Sequence, residues 1–183
     1  MYVLWSIPDS YIKMENQDNA EKIHALIRHM DACLREANAA LYLYKNFDEK
    51  SDYMQGQIRI HFYLVAAKSF VMNIDLYFKS LKRISYIQND GSITPLIEIF
   101  EKDFPDLKGV RDSIQHSDER TIKMAGRKEI FPEGGIMYSN NIRYDALEFT
   151  KEDGKPGHVE ISINSLEHVK DNLLALCTKF DWG

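Results

Sequence analysis

Two long segments of helical periodicity, separated by a short charged break, occupy the first half of this 183-residue chain. In residues 17–47 the apolar side chains recur at steps of three and four, which places them on one face of a helix. Those side chains belong to Ile23, Leu26, Ile27, Met30, Leu34, Ala37, Leu41 and Tyr44. Residues 48–52 interrupt the pattern with charge, and a second helix is predicted from Tyr53 to between residues 85 and 88.

The second predicted helix is apolar on nearly all of its sides. Within its middle part, residues 62–78, the exceptions are Lys68, Ser69, Asn73 and Asp75. A helix of this kind is normally central in a bundle, so we interpret Asn73 and Asp75 as hydrogen-bonded core groups or dimer contacts. At 1.5 Å per residue the helix would be about 50 Å long. The two helices are therefore predicted to form a long antiparallel hairpin.

Two shorter helices are predicted next. Residues 89–91, Asn-Asp-Gly, are a strong turn signal. Thr94 followed by proline is typical of a helix N-terminus, and it predicts a helix over 94–103. Asp106 is placed to cap a fourth helix over 107–119.

A different pattern begins after residue 120. Residues 121–141 contain three glycines and a proline and show no helical period. Apolar residues from 142 to 149 suggest a strand with a one-residue slip, which we interpret as a bulge. Val159, Ile161 and Ile163 alternate as a second strand, so a β-hairpin is predicted around 142–163.

The predicted fold is mostly α, with an α+β character. Asn164 or Ser165 is expected to cap a last helix over 165–181. A chain of 183 residues is an ordinary size for one domain. We therefore expect one helical-bundle domain over 1–183, with the β-hairpin inserted at about 121–164.

The composition of the chain limits which partners and which cellular compartment are expected. The net charge of −5 argues against a broad nucleic-acid-binding surface, so no DNA partner is expected and RNA would need a local site. No apolar run approaches the roughly 20 residues that span a bilayer, so no membrane partner is expected and a cytoplasmic protein is predicted. Cys33 and Cys177 are expected to be reduced core residues.

The chain shows no cofactor motif or metal-binding pattern. His29 and Cys33 have the spacing of a metal pair on a helix, but a tight site needs three or four ligands and no second cluster follows. The turn at 132–135 lacks the lysine and hydroxyl residue of a phosphate-binding loop. No cofactor and no metal are therefore predicted.

The fourth predicted helix carries the residues of greatest functional interest. At 100° per residue, Leu107, Val110 and Ile114 cluster on the face that meets the core. Arg111 lies at the edge of that apolar stripe and His116 lies far from it, so the pair is predicted to point away from the core. Such a polar face is either simply solvated or becomes a site when a second copy packs against it.

Arg111, Asp112 and His116 resemble the motif of the HEPN family (higher eukaryote and prokaryote nucleotide-binding domains). Members are helical bundles with an arginine, a polar residue, three to five further residues and a histidine in a late helix. The long helical hairpin is also similar to the family. The resemblance covers about residues 17–120 and the last helix.

The resemblance implies a metal-independent endoribonuclease that acts as a homodimer through the 107–120 helix, in a bacterial defence or toxin setting. Histidine can take the proton of a ribose 2′-hydroxyl, and arginine can hold phosphate oxygens. His116 and Arg111 would have these roles, Asp112 would orient one of the cations, and the product would be a 2′,3′-cyclic phosphate.

Other interpretations remain open. Some family members carry a tyrosine, modified by a partner enzyme, where this chain has Asp118, so that regulation is not expected. Asp118 and Glu119 place negative charge beside the predicted phosphate site unless Arg120, Lys123, Arg127 and Lys128 offset it. One alternative is a non-catalytic binding or scaffold module on the same fold. Another is a helical adaptor whose β-hairpin makes the interaction.

Overall fold

The computed structural model describes residues 3–46, 53–117, 119, 124–125, 128–139 and 141–183, with the backbone alone for 53–61. Five helices dominate these residues, and short strands accompany them. The helices are α1 (Gln17–Asn46), α2 (Tyr53–Gln88), α3 (Thr94–Asp103), α4 (Leu107–Gln115) and α5 (Ile163–Cys177). This confirms the predicted mostly helical, α+β fold with strands placed before the last helix.

The helices α1 and α2 pack against each other along their length as an antiparallel hairpin. Near one end the ring of Tyr44 meets that of Tyr63 edge to face at 5.5 Å. Further along, His29 Nδ1 lies 3.1 Å from Ser80 Oγ. The predicted apolar face of α1 is the buried one, apart from Leu26, which is half-buried.

Buried polar side chains join α2 to the helices on its other side. The hydroxyl of Tyr77 is fully buried and donates to Asn172 Oδ1 of α5 at 2.9 Å. The amide of Asn172 donates in turn to the carbonyl of Leu96 in α3, also at 2.9 Å. Phe78 and Phe100 stack beside this chain of bonds at 4.4 Å. The central position predicted for α2 is therefore correct, since it contacts α1, α3 and α4.

The strands form three small antiparallel sheets in the described residues. In the first, β1 (Ile12–Lys13) pairs with the last strand of the chain, β7 (Asp181–Trp182). The second pairs β2 (Met124–Ala125) with β3 (Lys128–Glu129), and a short 3-10 turn, Glu133–Gly135, follows. The third has the order β4-β5-β6, with β4 Asn141–Arg143, β5 Ala146–Thr150 and β6 Pro156–Glu160.

The one-residue slip near 142–149 is a chain reversal, and its interpretation as a bulge was wrong. Tyr144 and Asp145 have positive φ angles of 52° and 61°, the backbone of a two-residue hairpin turn between β4 and β5. Asp145 accepts hydrogen bonds from the hydroxyl of Tyr44 at 3.2 Å and from Lys45 Nζ at 2.6 Å. Burial, together with the charge of Asp145, raises the pKa of Tyr44 to about 12.

The last helix begins and ends earlier than predicted. Its N-cap is Ser162, whose hydroxyl accepts from the backbone N–H of Ser165, so neither Asn164 nor Ser165 is the cap. Ile163 accordingly starts α5 and does not extend the strand. The helix ends at Cys177 because the chain turns there to form β7.

The other two predicted caps also differ in detail. The N-cap position of α3 is Ile93, without a side-chain bond, and Pro95 lies in the first turn. Asp106 occupies the N-cap position of α4, but its carboxylate bonds to groups of the β-sheet. Hydrogen bonds from Asp106 to Lys151 and His158 thus take the place of the predicted capping bond within α4.

Residues 3–13 form a strap across the helices that the sequence did not predict. Val3, Ile7 and Ile12 are buried in the core. The side-chain amide of Asn38 in α1 accepts from the N–H of Val3 at 3.3 Å and donates to its carbonyl at 2.8 Å.

The structure also bears on the predictions made for the cysteines and for membrane-spanning helices. Cys33 and Cys177 are free and buried, as expected. Within the described ranges, none of the helices combines the length and apolar character needed to cross a bilayer.

Gly154 and Gly91 provide a matched test of the turn between β5 and β6. Both have positive φ, but a Cβ at Gly154 would lie 2.2 Å from the carbonyl oxygen of Phe131, whereas Gly91 faces open space. We expect Gly91→Ala to lower the free energy of unfolding by about 1 kcal/mol. Gly154→Ala should cost about 3 kcal/mol or more, because backbone strain and overlap add. Urea denaturation measures both, and equal losses would contradict the described packing.

Candidate functional site at the end of helix α4

Buried contacts fix α4 between α2 and the β-sheet. Leu107, Val110 and Ser113 face inward along it. The hydroxyl of Ser113 is fully buried and shares its proton between the carbonyls of Gly109, at 2.9 Å, and Thr150 in β5, at 3.0 Å. The helix is therefore hydrogen-bonded to the sheet as well as packed on the bundle.

The start of α4 is held by Lys151, which follows β5. Its Nζ lies 2.8 Å from Asp106 Oδ1, and this hydrogen bond raises the pKa of Lys151. The aliphatic part of Lys151 passes so close to Gly109 and Gly157 that a Cβ at these positions would lie 2.6 and 2.7 Å from its Cδ. The sheet thus docks on α4 through a side chain that two glycines admit.

Arg111 is held by two carboxylates. Its Nε lies 3.3 Å from Asp75 Oδ1 in α2, an ion pair without hydrogen-bond alignment, and its Nη1 lies 2.9 Å from Asp112 Oδ1. Nη1 also donates to Gln115 Oε1 at 3.2 Å. The side chain of Arg111 is only 16% exposed, so the prediction that it points away from the core was wrong.

The inward position of the Arg111 side chain is explained by Asp75. It is a buried carboxylate in an otherwise apolar part of α2, and Lys79 approaches its Oδ2 to 2.7 Å from the solvent side. A buried charge is stable only when it is paired, so Asp75 draws the guanidinium of Arg111 inward from the edge of the apolar stripe. Asp75 is a buried core group, as one of its two interpretations had it, but ion pairs with Arg111 and Lys79 take the place of the predicted hydrogen bonds.

His116 occupies a different environment from Arg111. The helix α4 ends at Gln115, four residues before its predicted end, and His116 is its C-cap. The imidazole is 55% exposed, and its Nδ1 lies 3.8 Å from Glu119 Oε1. His116 therefore does point away from the core, as predicted, but it is not on one continuous helix with Arg111.

The structure brings together Arg111, Asp112 and Asp75. His116 lies at the exposed C-terminal end of the same helix and contacts Glu119. Asp75 was missed as a site residue. A lone carboxylate among apolar residues was a signal, because it requires a cation from a neighbouring element. Of the charges considered around the site, Glu119 and Lys128 lie in described ranges, whereas Asp118, Arg120, Lys123 and Arg127 lie outside them.

Metal chemistry has no apparent site in the described residues, where no group of three or more potential ligands occurs. His29 and Cys33 do lie close together, with Sγ 3.8 Å from Nδ1, but the nearest further partner of His29 is Ser80. Burial raises the pKa of Cys33, which disfavours the thiolate that binds metal.

Comparison with protein-family models, curated proteins and solved structures gave no significant match to this chain.

Asp75→Asn should be much more harmful to stability than Asp112→Asn. The first substitution removes the buried partner of Arg111, and loss of one member of a buried pair costs about 3 kcal/mol or more. The second removes a half-exposed partner, which is worth at most about 1 kcal/mol. Urea denaturation of both variants measures the difference. Equal effects would show that the pair with Asp75 does not fix Arg111.

Proposed function

We propose that this protein is a HEPN-like, metal-independent endoribonuclease whose active site forms when the α4 ends of two copies meet. The observation that carries the proposal is the arrangement at that end: a preoriented guanidinium and an exposed imidazole, five residues apart. Arg111 and His116 are the catalytic residues in this proposal, Asp112 orients Arg111, and Asp75 is a positioning residue.

The geometry around Arg111 suits a group that must not move during a reaction. Its Nε and Nη1 are occupied by the carboxylates of Asp75 and Asp112. Its Nη2 makes no hydrogen bond with any residue that the structure describes. A donor fixed in this way can stabilise charge that develops on a phosphate without reorganising.

The exposed imidazole of His116 supplies the proton transfer in this proposal. Histidine exchanges a proton near neutral pH, so it can accept the proton of a ribose 2′-hydroxyl as that oxygen attacks the adjacent phosphorus. The P–O5′ bond breaks, the 5′-oxygen takes the proton from a His116 imidazolium and leaves as a hydroxyl, and a 2′,3′-cyclic phosphate remains on the upstream fragment. The carboxylate of Glu119, 3.8 Å from Nδ1, would hold the ring in place.

A second candidate function is a non-catalytic scaffold on the same fold. It is favoured by the charge balance of the site, where Arg111 and Lys79 face the carboxylates of Asp75 and Asp112. Such a closed set of ion pairs stabilises the docking of two helices whether or not a substrate binds. Catalysis assays distinguish the two functions.

His116→Ala should reduce RNA cleavage at least about a hundredfold, because it removes the proton acceptor. The matched control is His168→Ala, since His168 is equally exposed, at 56%, and also pairs with a carboxylate, Asp103, at 3.4 Å. Purified variants are incubated with structured and unstructured RNA, with EDTA present throughout, and the product ends are analysed. Cleavage that His116→Ala leaves unchanged would exclude the proposed chemistry. Absence of any wild-type cleavage would favour the scaffold.

Arg111→Lys should lower the cleavage rate by about a hundredfold while the fold persists. The ammonium keeps a positive charge near Asp75, but it cannot reproduce the forked donor geometry of a guanidinium. Arg111→Ala is less informative, because it leaves the buried carboxylate of Asp75 without its partner. Circular dichroism confirms the fold of the lysine variant. Full activity of that variant would remove Arg111 from the mechanism.

Dimerisation through α4 can be tested with a single new cysteine. Gln115→Cys lies on the exposed end of α4 and should form an intermolecular disulfide under mild oxidation, whereas Glu167→Cys on α5 should not. The native thiols are buried, and burial raises the pKa of Cys177 to about 11, so they should remain unreactive. Light scattering at micromolar concentration should report a dimer. A monomer, or equal crosslinking of both variants, would exclude the composite site.

A further inference from the structure

A basic groove runs along α2 beyond the site at α4. It measures about 550 Å³, and its floor is formed by Ala25, Leu26 and Ile87 from the facing helices α1 and α2. Its rim consists of Lys22, Lys82, Arg83 and Tyr86. Lys22 belongs to α1 and the other three belong to α2. We call these three α2 residues, together with Lys79, the α2 basic strip.

The α2 basic strip lies on the solvent-facing side of the helix that also carries Asp75. At 100° per residue, Lys79, Lys82, Arg83 and Tyr86 fall within about 80° of the direction of Asp75. The rise of the helix places Arg83 about 12 Å along the axis from Asp75. The strip therefore leads along one helix to the carboxylate that holds Arg111.

Lys82 and Arg83 of the strip, and Lys22 beside it, are available for an anionic ligand, whereas Lys79 is held by Asp75 at 2.7 Å. Arg83 makes no ion pair with any residue that the structure describes. Lys82 pairs with Glu101 at 2.9 Å, but both side chains are about half exposed, and Lys22 pairs with the largely exposed Asp18. Exposed pairs of this kind contribute little, so a phosphate can replace their carboxylates.

Tyr86 distinguishes this groove from a simple charged patch. Its side chain is 86% exposed, although it stands directly beside the apolar floor and two cations. An accessible aromatic ring next to lysine and arginine is the combination on which single-stranded nucleic acids bind, with a base on the ring and phosphates on the cations. An amphipathic helix would require a longer row of apolar pockets than the three floor residues provide.

We propose that the α2 basic strip binds single-stranded RNA, with one base stacked on Tyr86 and the phosphates paired with Lys82 and Arg83. This rests on the proposed ribonuclease function for its substrate class and assigns the path by which the strand reaches Arg111 and His116. It also explains how a chain with a net charge of −5 can hold RNA, because the basic residues are concentrated at one groove.

The test is RNA binding by the full chain in the His116→Ala background, so that binding is measured without cleavage. The probe is a fluorescein-labelled oligouridine, and anisotropy is recorded at several salt concentrations. Lys82→Gln with Arg83→Gln should make the slope of log K against log salt less steep by about 1.4, since each phosphate contact on a single strand contributes about 0.7. Tyr86→Ala should weaken binding about tenfold with an unchanged slope. Lys179→Gln, an exposed lysine after α5, is the control.

Each outcome has a defined meaning. Binding that all three strip substitutions leave unchanged, no binding of the oligouridine at all, or equally tight binding of an acidic helical peptide would overturn the proposal. Binding that depends on the strip in a protein whose wild type does not cleave RNA would retain the strip and reject the ribonuclease. If the wild type cleaves RNA and the strip variants cleave it equally well, the ribonuclease proposal is retained and the strip is rejected.

Discussion

The buried carboxylate of Asp75 is the constraint on which the positions of Arg111 and helix α4 depend. A charge placed in the apolar middle of α2 must be paired, and the cation that pairs with it from another element is Arg111. That requirement fixes the rotation of α4 about its own axis. It also leaves the C-terminal end of α4, with His116, directed toward solvent. The position of Arg111 thus follows from a buried charge that must be paired.

The sheet completes the positioning of α4 from the opposite side. Ser113 bonds to β5, and Lys151 reaches Asp106 through the space left by two glycines. The segment interpreted from the sequence as an insertion therefore packs on the core, with Leu147, Phe149, Val159 and Ile161 buried. Removing it would take these buried side chains out of the core and free both ends of α4, so the sheet is a structural part of the site.

The helix bounds that depend on apolar periodicity could be predicted from the sequence. The helices α1, α2 and α3 have the expected bounds within a residue or two, because long apolar stripes and turn residues are local signals. Features that depend on contacts between residues far apart in the chain could not be predicted in this way. Residues 12–13 find a strand partner at the other end of the chain, and the glycine-free turn at Tyr144 and Asp145 is bonded to α1. The inward rotation of Arg111 belongs to the same class, since helical periodicity on α4 contains no information about Asp75. The Ser162 cap is local, and it was missed because the neighbouring Asn164 and Ser165 are equally good capping residues.

The turn at Tyr144 and Asp145 has a consequence for the order of folding. Its bonds to Tyr44 and Lys45 connect residues about one hundred positions apart, whereas α1 and α2 meet across a short connection. Contacts that close long loops form late, because their entropic cost precedes their benefit. The helical hairpin should thus be an early unit, and the sheet with α4 a later and less protected one. Amide hydrogens of the sheet and of α4 would then exchange by local opening while those of the hairpin remain protected.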